Sequence, residues 1–168
     1  MPSGRVHEAI NLTVLGALAL LGVETQGPVF WEDPRLLPFA LGYLGGTFLL
    51  SPDLDLAEKG VRASRRWGVL GLLWRPYGWL FRHRGLSHTW VLGPLTRLGY
   101  LAFLLALLYG LLQGVSLLLG ASWTLALPPW PEEALWAALF GYYLSQWLHL
   151  IADGIFPDHD LKRLRRPR

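Results

Sequence analysis

Four long apolar runs, separated by charged and aromatic stretches, organise the chain. They cover about residues 7–23 (HEAINLTVLGALALLGV), 35–51 (RLLPFALGYLGGTFLLS), 91–119 and 134–152. The third carries only Arg97 and Gln113 as strongly polar positions. A helix rises about 1.5 Å per residue and needs about 20 residues to cross a bilayer core. The third run is therefore generous and the first two are short; short spans thin the bilayer or end inside the headgroup layer. The expected fold is all-α: one integral membrane domain of about four transmembrane helices. A cytoplasmic loop over residues 52–90 and a basic cytoplasmic tail over 154–168 complete it. Buried core helices are the competing reading of the short runs. The first run is read as a retained helix, because only Arg5 precedes it and LGVETQ is a poor signal-cleavage site.

Composition sharpens this picture. Of 168 residues, 52% are hydrophobic and only 16% charged, against roughly 25% charged in an average soluble domain. Neither an ordinary soluble protein nor a disordered chain fits. There is no cysteine, which excludes a disulfide scaffold, a zinc-thiolate site and a thiol nucleophile.

Charge then orients the helices. Lys59, Arg62, Arg65, Arg66, Arg75, Arg82 and Arg84 lie in the long loop; Lys162, Arg163, Arg165, Arg166 and Arg168 lie in the tail, and Arg5 precedes the first run. The opposite loops hold Glu24, Glu32, Asp33, Glu132 and Glu133 against a single Arg35. Thirteen basic residues against one place both termini and the long loop in the cytoplasm, at a cytoplasmic membrane. Arg97 is expected to snorkel back to the interface. The segment SRRWGVLGLLWRPYGWLF interleaves Trp67, Trp74, Tyr77 and Trp79 with arginines, as in a segment lying in the interface or a loop packed over the helix ends. Gly42/Gly46 and Gly110/Gly114 form two GxxxG pairs, read as sites of close helix packing.

The metal-binding residue types fall at one end of these helices. His7 begins the first; Asp53 and Asp55 (SPDLD) follow the second; His83 and His88 (HRGLSH) precede the third; His149 and Asp153 (HLIAD) close the fourth. In the expected topology all seven converge on the cytoplasmic face. Imidazole nitrogens and carboxylate oxygens suit borderline divalent ions such as Zn²⁺, Mn²⁺ or Fe²⁺. His149 and Asp153, four apart, stack on one helix face. Asp53 and Asp55, two apart, would diverge on a helix but share a site in an extended turn. Four His and three Asp suffice for one or two ions, and two-metal sites activate water and stabilise a leaving oxygen in phosphoryl hydrolysis. Asp158 and His159 are read as part of a solvated tail.

These motifs resemble the bacterial YdjM-like membrane-bound metal-dependent hydrolases. They are closer still to a related family known only as metal-binding proteins. SGRVHEAIN, RRWG, WRPY and HRGLSHTWVLGPLTRLGYL carry the closer likeness, which runs from about residue 3 to 153. The resemblance implies a multi-helix membrane protein with metal ligands at His7, Asp53, Asp55, His83, His88, His149 and Asp153. In the hydrolase branch the motif reads HRGxTHS. Ser87 stands here for its Thr and Thr89 for its final Ser, so the hydroxyls are kept. Zinc-dependent phospholipase C and related nucleases order their ligands similarly, which is analogy alone.

The expected function is hydrolysis of an amphiphilic phosphate ester at the cytoplasmic membrane surface. Asp55 or a non-ligating His would accept the proton, and Arg82, Arg84 and Arg75 would fork onto phosphate oxygens. Arg62, Arg65 and Arg66 are assigned to orientation and anionic-lipid attraction. The alternative is a non-catalytic metal sensor or structural metal site. Transport is disfavoured, because the helix centres lack ionisable residues. Nucleic acid is not an expected partner, since the KRLRRPR tail is explained by topology; a homo-oligomer stays open. No P-loop, nucleophile elbow, Rossmann fingerprint or HExxH occurs.

Overall fold

The computed structural model describes residues 3–81, 83, 85–121, 124, 125 and 129–157; Arg82, Arg84, Asp158, His159 and the basic tail lie outside them. Every described element is helical. In chain order they are α1 (Gly4–Gln26), α2 (Leu36–Phe48), α3 (Arg62–Arg66), α4 (Arg75–Leu80), α5 (Leu92–Leu118) and α6 (Glu132–Ala152). Short 3-10 segments lie at Gly27–Glu32, Pro52–Lys59, Gly68–Trp74 and Leu86–His88. Local chemistry sets several of these ends. Glu132 and Glu133 occupy the first turn of α6, where carboxylates offset the exposed amide dipoles. Pro52 opens its 3-10 segment, and Gly60, with φ of 62°, closes it in the left-handed region.

All four expected long helices form, but only two are long and apolar enough to cross a membrane: α1 with its following turn, and α5. With 13 residues, α2 rises only about 20 Å. It packs most extensively against α6, and α1 lies against α6 and, less closely, α2. The inner side of α6 carries buried Ser145, Gln146 and His149, which lower its hydropathy. Only 6% of the most apolar stretch of α5 is buried, and 11% of that of α1. Leu20, Leu117, Leu118 and Leu119 are largely exposed.

Close backbone approach binds α2 to α6. A Cβ at Gly42 would sit 1.9 Å from the Ala138 carbonyl oxygen, and one at Gly46 would sit 2.2 Å from Ser145 Oγ. The first GxxxG pair is thus a packing seam. The second is not: a Cβ at Gly110 or Gly114 would meet nothing within 4 Å, so the close packing expected there is absent among the described residues. A polar seam runs beside the first pair. Asn11 Nδ2 donates to Thr47 Oγ1 at 3.0 Å and to the Ser145 carbonyl at 3.1 Å. Tyr43 donates its hydroxyl to the Asn11 carbonyl at 2.8 Å.

The described residues of the 52–90 loop fold as a cap over the helix ends. Leu54, Ala57, Ala63, Trp74 and Tyr77 bury themselves with Tyr142 of α6. Tyr77 is held further by a 2.9 Å bond between its hydroxyl and Thr96 Oγ1. The packed-loop reading describes this inner face. The outer face keeps the amphipathic character that suits an interface: Val69, Leu70, Leu72, Leu73, Trp79 and Leu80 are exposed.

Arg97 corrects a second expectation. It does not snorkel but is fully buried. It donates Nη1 to the Ser87 carbonyl at 2.8 Å and Nη2 to Gln146 Oε1 at 2.9 Å. The HRGLSH turn is thereby pinned to both α5 and α6. A buried guanidinium survives desolvation only with such partners.

The two GxxxG pairs make a direct test. Gly42→Leu should destabilise the protein by about 1–3 kcal/mol or more through overpacking, whereas Gly110→Leu should leave it within about 0.5 kcal/mol. Thermal melting in detergent reads both.

A candidate metal centre

Four separate segments deliver the seven expected ligands to one place. His7 projects from the first turns of α1, and the 3-10 segment after Ser51 supplies Asp53 and Asp55. His83 and His88 flank the turn at Gly85, and the end of α6 supplies His149 and Asp153. Ligand atoms lie within 4.8 Å of one another in three groups: His7–His149–Asp153, Asp53–His88–His149, and Asp55–His83–His88. His149 and His88 each belong to two groups, so the three form one continuous chain.

The distances show how it is knit. His7 Nε2 is 3.2 Å from Asp153 Oδ1, and His149 Nε2 is 3.6 Å from both Asp153 Oδ2 and Asp53 Oδ1. At the other end, His83 Nδ1 and His88 Nδ1 lie 3.0 and 3.1 Å from the two oxygens of Asp55. The His7 and His149 rings stack with centroids 3.9 Å apart. The 3-10 backbone turns Asp53 towards His149 and Asp55 towards His83 and His88, and the shared His88 keeps both carboxylates in one continuous group.

Asp55 is unsuited to the proton-acceptor role assigned to it. It is almost fully buried, accepts a 2.7 Å bond from Ser87 Oγ and faces both imidazoles. Those bonds outweigh burial, which alone would raise its pKa, and hold the carboxyl below its ordinary range. Its geometry is that of a carboxylate orienting His88 through Nδ1 and leaving Nε2 for another partner. Burial drives the His88 pKa down despite Asp55, favouring the neutral, lone-pair-bearing ring. The carboxyl of Asp53 is held at about 2: burial opposes this, but His149 beside it prevails.

The same centre leaves buried polar atoms without partners. His7 Nδ1, His88 Nε2, His149 Nε2 and both Asp153 oxygens make no hydrogen bond. Each unsatisfied buried group costs about 1–3 kcal/mol. Neutral imidazoles and ionised carboxylates in this density are a donor set for a divalent transition ion, and the residues fit one. The orphaned atoms concentrate around His7, His149, Asp153 and His88, whereas Asp55 is already engaged.

A cavity of about 280 Å³ opens beside this centre. His7, Asp53 and His149 form its metal-facing wall; Asn11, Thr47, Ser51 and Ser145 make the rest polar, and Glu8, Arg62 and Arg65 stand along it. The assignment of all three loop arginines to lipid attraction is thereby revised. Arg62 and Arg66 both pair with Glu8, at 2.9 Å, and Arg62 and Arg65 border the cavity. Arg75 is exposed at the start of α4, while Arg82 and Arg84 lie outside the described residues. Sequence reasoning missed Asn11, Thr47 and Ser145. Ordinary polar residues carry no signal until the helices crossing beside them are known.

A family model described as "Uncharacterized metal-binding protein (DUF2227)" matches residues 2–163. An "Uncharacterized protein" of Aquifex aeolicus (strain VF5) is 52% identical over 71 residues, which cover 42% of this chain and 48% of the relative. The chain thus spans about half the length of that curated relative. No solved structure matches.

Two predictions come from this geometry. Protein purified in detergent should carry one or two divalent transition ions by elemental analysis, and His149→Ala or Asp153→Ala should each remove most of them. Arg97→Leu, which frees the Ser87 carbonyl, should weaken metal affinity about 10–100-fold, the usual scale for an outer support of a ligand. Metal-buffered competition with a chelating dye measures it.

Proposed function

The chain belongs to the uncharacterized metal-binding protein family, and from that premise we propose a membrane-embedded, metal-dependent hydrolase. It acts at the cytoplasmic face on a phosphate ester such as a phospholipid or lipid phosphate. One observation carries the reading: the linked His/Asp centre borders a polar cavity instead of being sealed on all sides. Structural metal sites are closed by protein ligands, and catalytic ones keep a position open. His7, His149 and Asp153, with Asp53 and His88 Nε2 next to them, would hold an ion, and Asp55 would support it by orienting His88. A bound divalent ion supplies Lewis acidity toward water and a phosphoryl oxygen.

The protein's own groups do the rest. Asp55 fixes the tautomer of His88, and Ser87 holds Asp55 in turn. Arg97 anchors that turn from behind. The seam of Asn11, Thr47 and Ser145 keeps the cavity polar so that a charged group can enter. The likeness to YdjM-like hydrolases, which rests on sequence motifs alone, agrees with this reading.

Membrane insertion is supported by the exposed leucines of α1 and α5 and by the basic-loop asymmetry. In that setting α1 and α5 meet lipid, and the cap lays its exposed leucines and Trp79 in the interface. The centre then sits at headgroup depth. A second reading, a non-catalytic metal sensor or structural site, is favoured by the deep burial of His88, Asp55 and His149.

Incubation of metal-loaded protein with a total polar lipid extract, followed by mass spectrometry, separates the two. Release of phosphate or headgroup that requires Mn²⁺ or Zn²⁺ and disappears in Asp53→Ala and His88→Ala is expected. No product from lipids or soluble phosphate esters, with metal still bound, selects the sensor or structural reading. For topology, reporters fused after Arg168 should report cytoplasm and after Gly120 periplasm. A periplasmic C-terminus would overturn the orientation.

A further inference from the structure

We propose that the cavity beside the metal centre is an anion pocket whose free cation, among the described residues, is Arg65, and that it accepts the phosphate group of a small ester. The inference rests on the hydrolase reading for its ion and on the cavity for its geometry.

Three arginines crowd this mouth, and their pairing separates them. Glu8 takes a forked bond from Arg62, 3.1 Å from Nε and 2.9 Å from Nη2, and a further one from Arg66 at 3.0 Å. Arg66 also lies 4.3 Å above the Phe48 ring. Both guanidinium groups are therefore already committed. Arg65 borders the same cavity, yet no carboxylate pairs with it among the described residues. Its guanidinium rests over Gly60, where a Cβ would lie 3.6 Å from Nε. Gly60 adopts a φ of 62°, so a side chain there would be strained as well as crowded. The left-handed turn thus leaves room for Arg65 to lie along the cavity edge.

Charge and size narrow the occupant. Of the charged residues that line the cavity, Arg62 and Arg65 balance Glu8 and Asp53. Arg65 and the ion that the metal-facing wall would hold then supply the attraction. An anion entering between them meets a metal on one side and a planar fork of N–H donors on the other, the geometry that suits phosphate oxygens. On the same wall Asn11 contributes a buried Oδ1 without a partner. Its amide nitrogen is fixed by the Thr47 and Ser145 acceptors, so this oxygen can only accept, and a hydroxyl next to the phosphate suits it. About 280 Å³ is at or below the low end of pockets for drug-sized ligands, roughly 300–1,000 Å³. A phosphate with a small polyol fits this size.

The test is binding, independent of turnover. Full-length protein in detergent, loaded with Mn²⁺, is titrated calorimetrically with inorganic phosphate and with glycerol phosphate, with metal content measured in parallel. Arg65→Ala should weaken both at least tenfold with metal content and melting temperature unchanged. Arg65→Lys should recover part of the loss, since it keeps the charge but not the fork. Arg5→Ala, on an exposed face of α1 away from this cavity, should change nothing. Vesicles of phosphatidylcholine containing phosphatidic acid should displace glycerol phosphate if the natural phosphate belongs to a lipid, and should fail to if it is soluble; either source agrees with the pocket. Unchanged affinity in Arg65→Ala, or no phosphate binding by loaded wild type, overturns the assignment. Arg65-dependent binding without hydrolysis of any ester would leave the pocket standing and remove the hydrolase reading; hydrolysis indifferent to Arg65 would do the reverse.

Discussion

The crowding of four imidazoles and three carboxylates, most of them buried, into one continuous group is the constraint on which the rest of this structure depends. Ionised carboxylates are costly to desolvate, and stacked rings such as His7 and His149, 3.9 Å apart, repel if both carry a proton. Imidazole–carboxylate pairing offsets part of this, as it does around Asp55. It is looser at Asp153, which His7 and His149 approach to 3.2 and 3.6 Å without completing a hydrogen bond. A shared divalent ion is the economical solution, because it neutralises carboxylates and uses imidazole lone pairs together. Metal binding and stability of this end of the bundle are therefore coupled.

Much of the surrounding architecture makes sense as support for that group. His149 and Asp53 can meet only because Gly42 and Gly46 let α2 lie directly on α6. His88 reaches the centre because Arg97 draws the Ser87 carbonyl inward and ties it to Gln146. Asn11 stitches α1 to both neighbours one turn beyond His7, which fixes the entry angle of that ring. Each device is a polar or backbone contact in a protein whose long helices are mostly leucine on the outside. Precision here comes from hydrogen bonds and close crossings more than from apolar area.

The sequence made the helices and the ligand residues legible for a physical reason. Apolar runs of this length have few other solutions, and His and Asp stand out against a background of only 16% charged residues. What stayed hidden needed three dimensions. Arg97 read as an interfacial cation because its partners, a carbonyl ten residues away and an amide forty-nine residues away, cannot be seen locally. For Asp53 and Asp55 the spacing left a helix and an extended turn open, and the 3-10 turn decides where each carboxylate points. The two GxxxG pairs are equivalent as motifs, yet only one has a helix across from it. Length misled as well: a run of 17 apolar positions became an α2 of 13 residues, too short to cross a bilayer and occupied with packing against α6.

The distribution of exposed surface makes the depth of the centre more than incidental. In the proposed orientation the apolar surfaces of α1 and α5 lie in lipid, and the outward leucines of the cap define a second, shallower apolar edge. The cavity lies between these levels, walled by the first turns of α1, the end of α2, α3 and the last turns of α6. A phosphate at that height needs no transfer of acyl chains out of the bilayer, whereas a soluble ester reaches the same point through water alone. The chemistry at the metal is identical in both cases. What separates them is whether the cavity mouth meets the headgroup layer, and that depends on how deeply the cap residues Val69, Leu70 and Trp79 seat themselves. On the proposed function, the substrate class would be set less by the ligands than by the insertion depth of the leucine- and aromatic-rich stretch that carries Val69, Leu70 and Trp79, none of which belongs to the ligand groups.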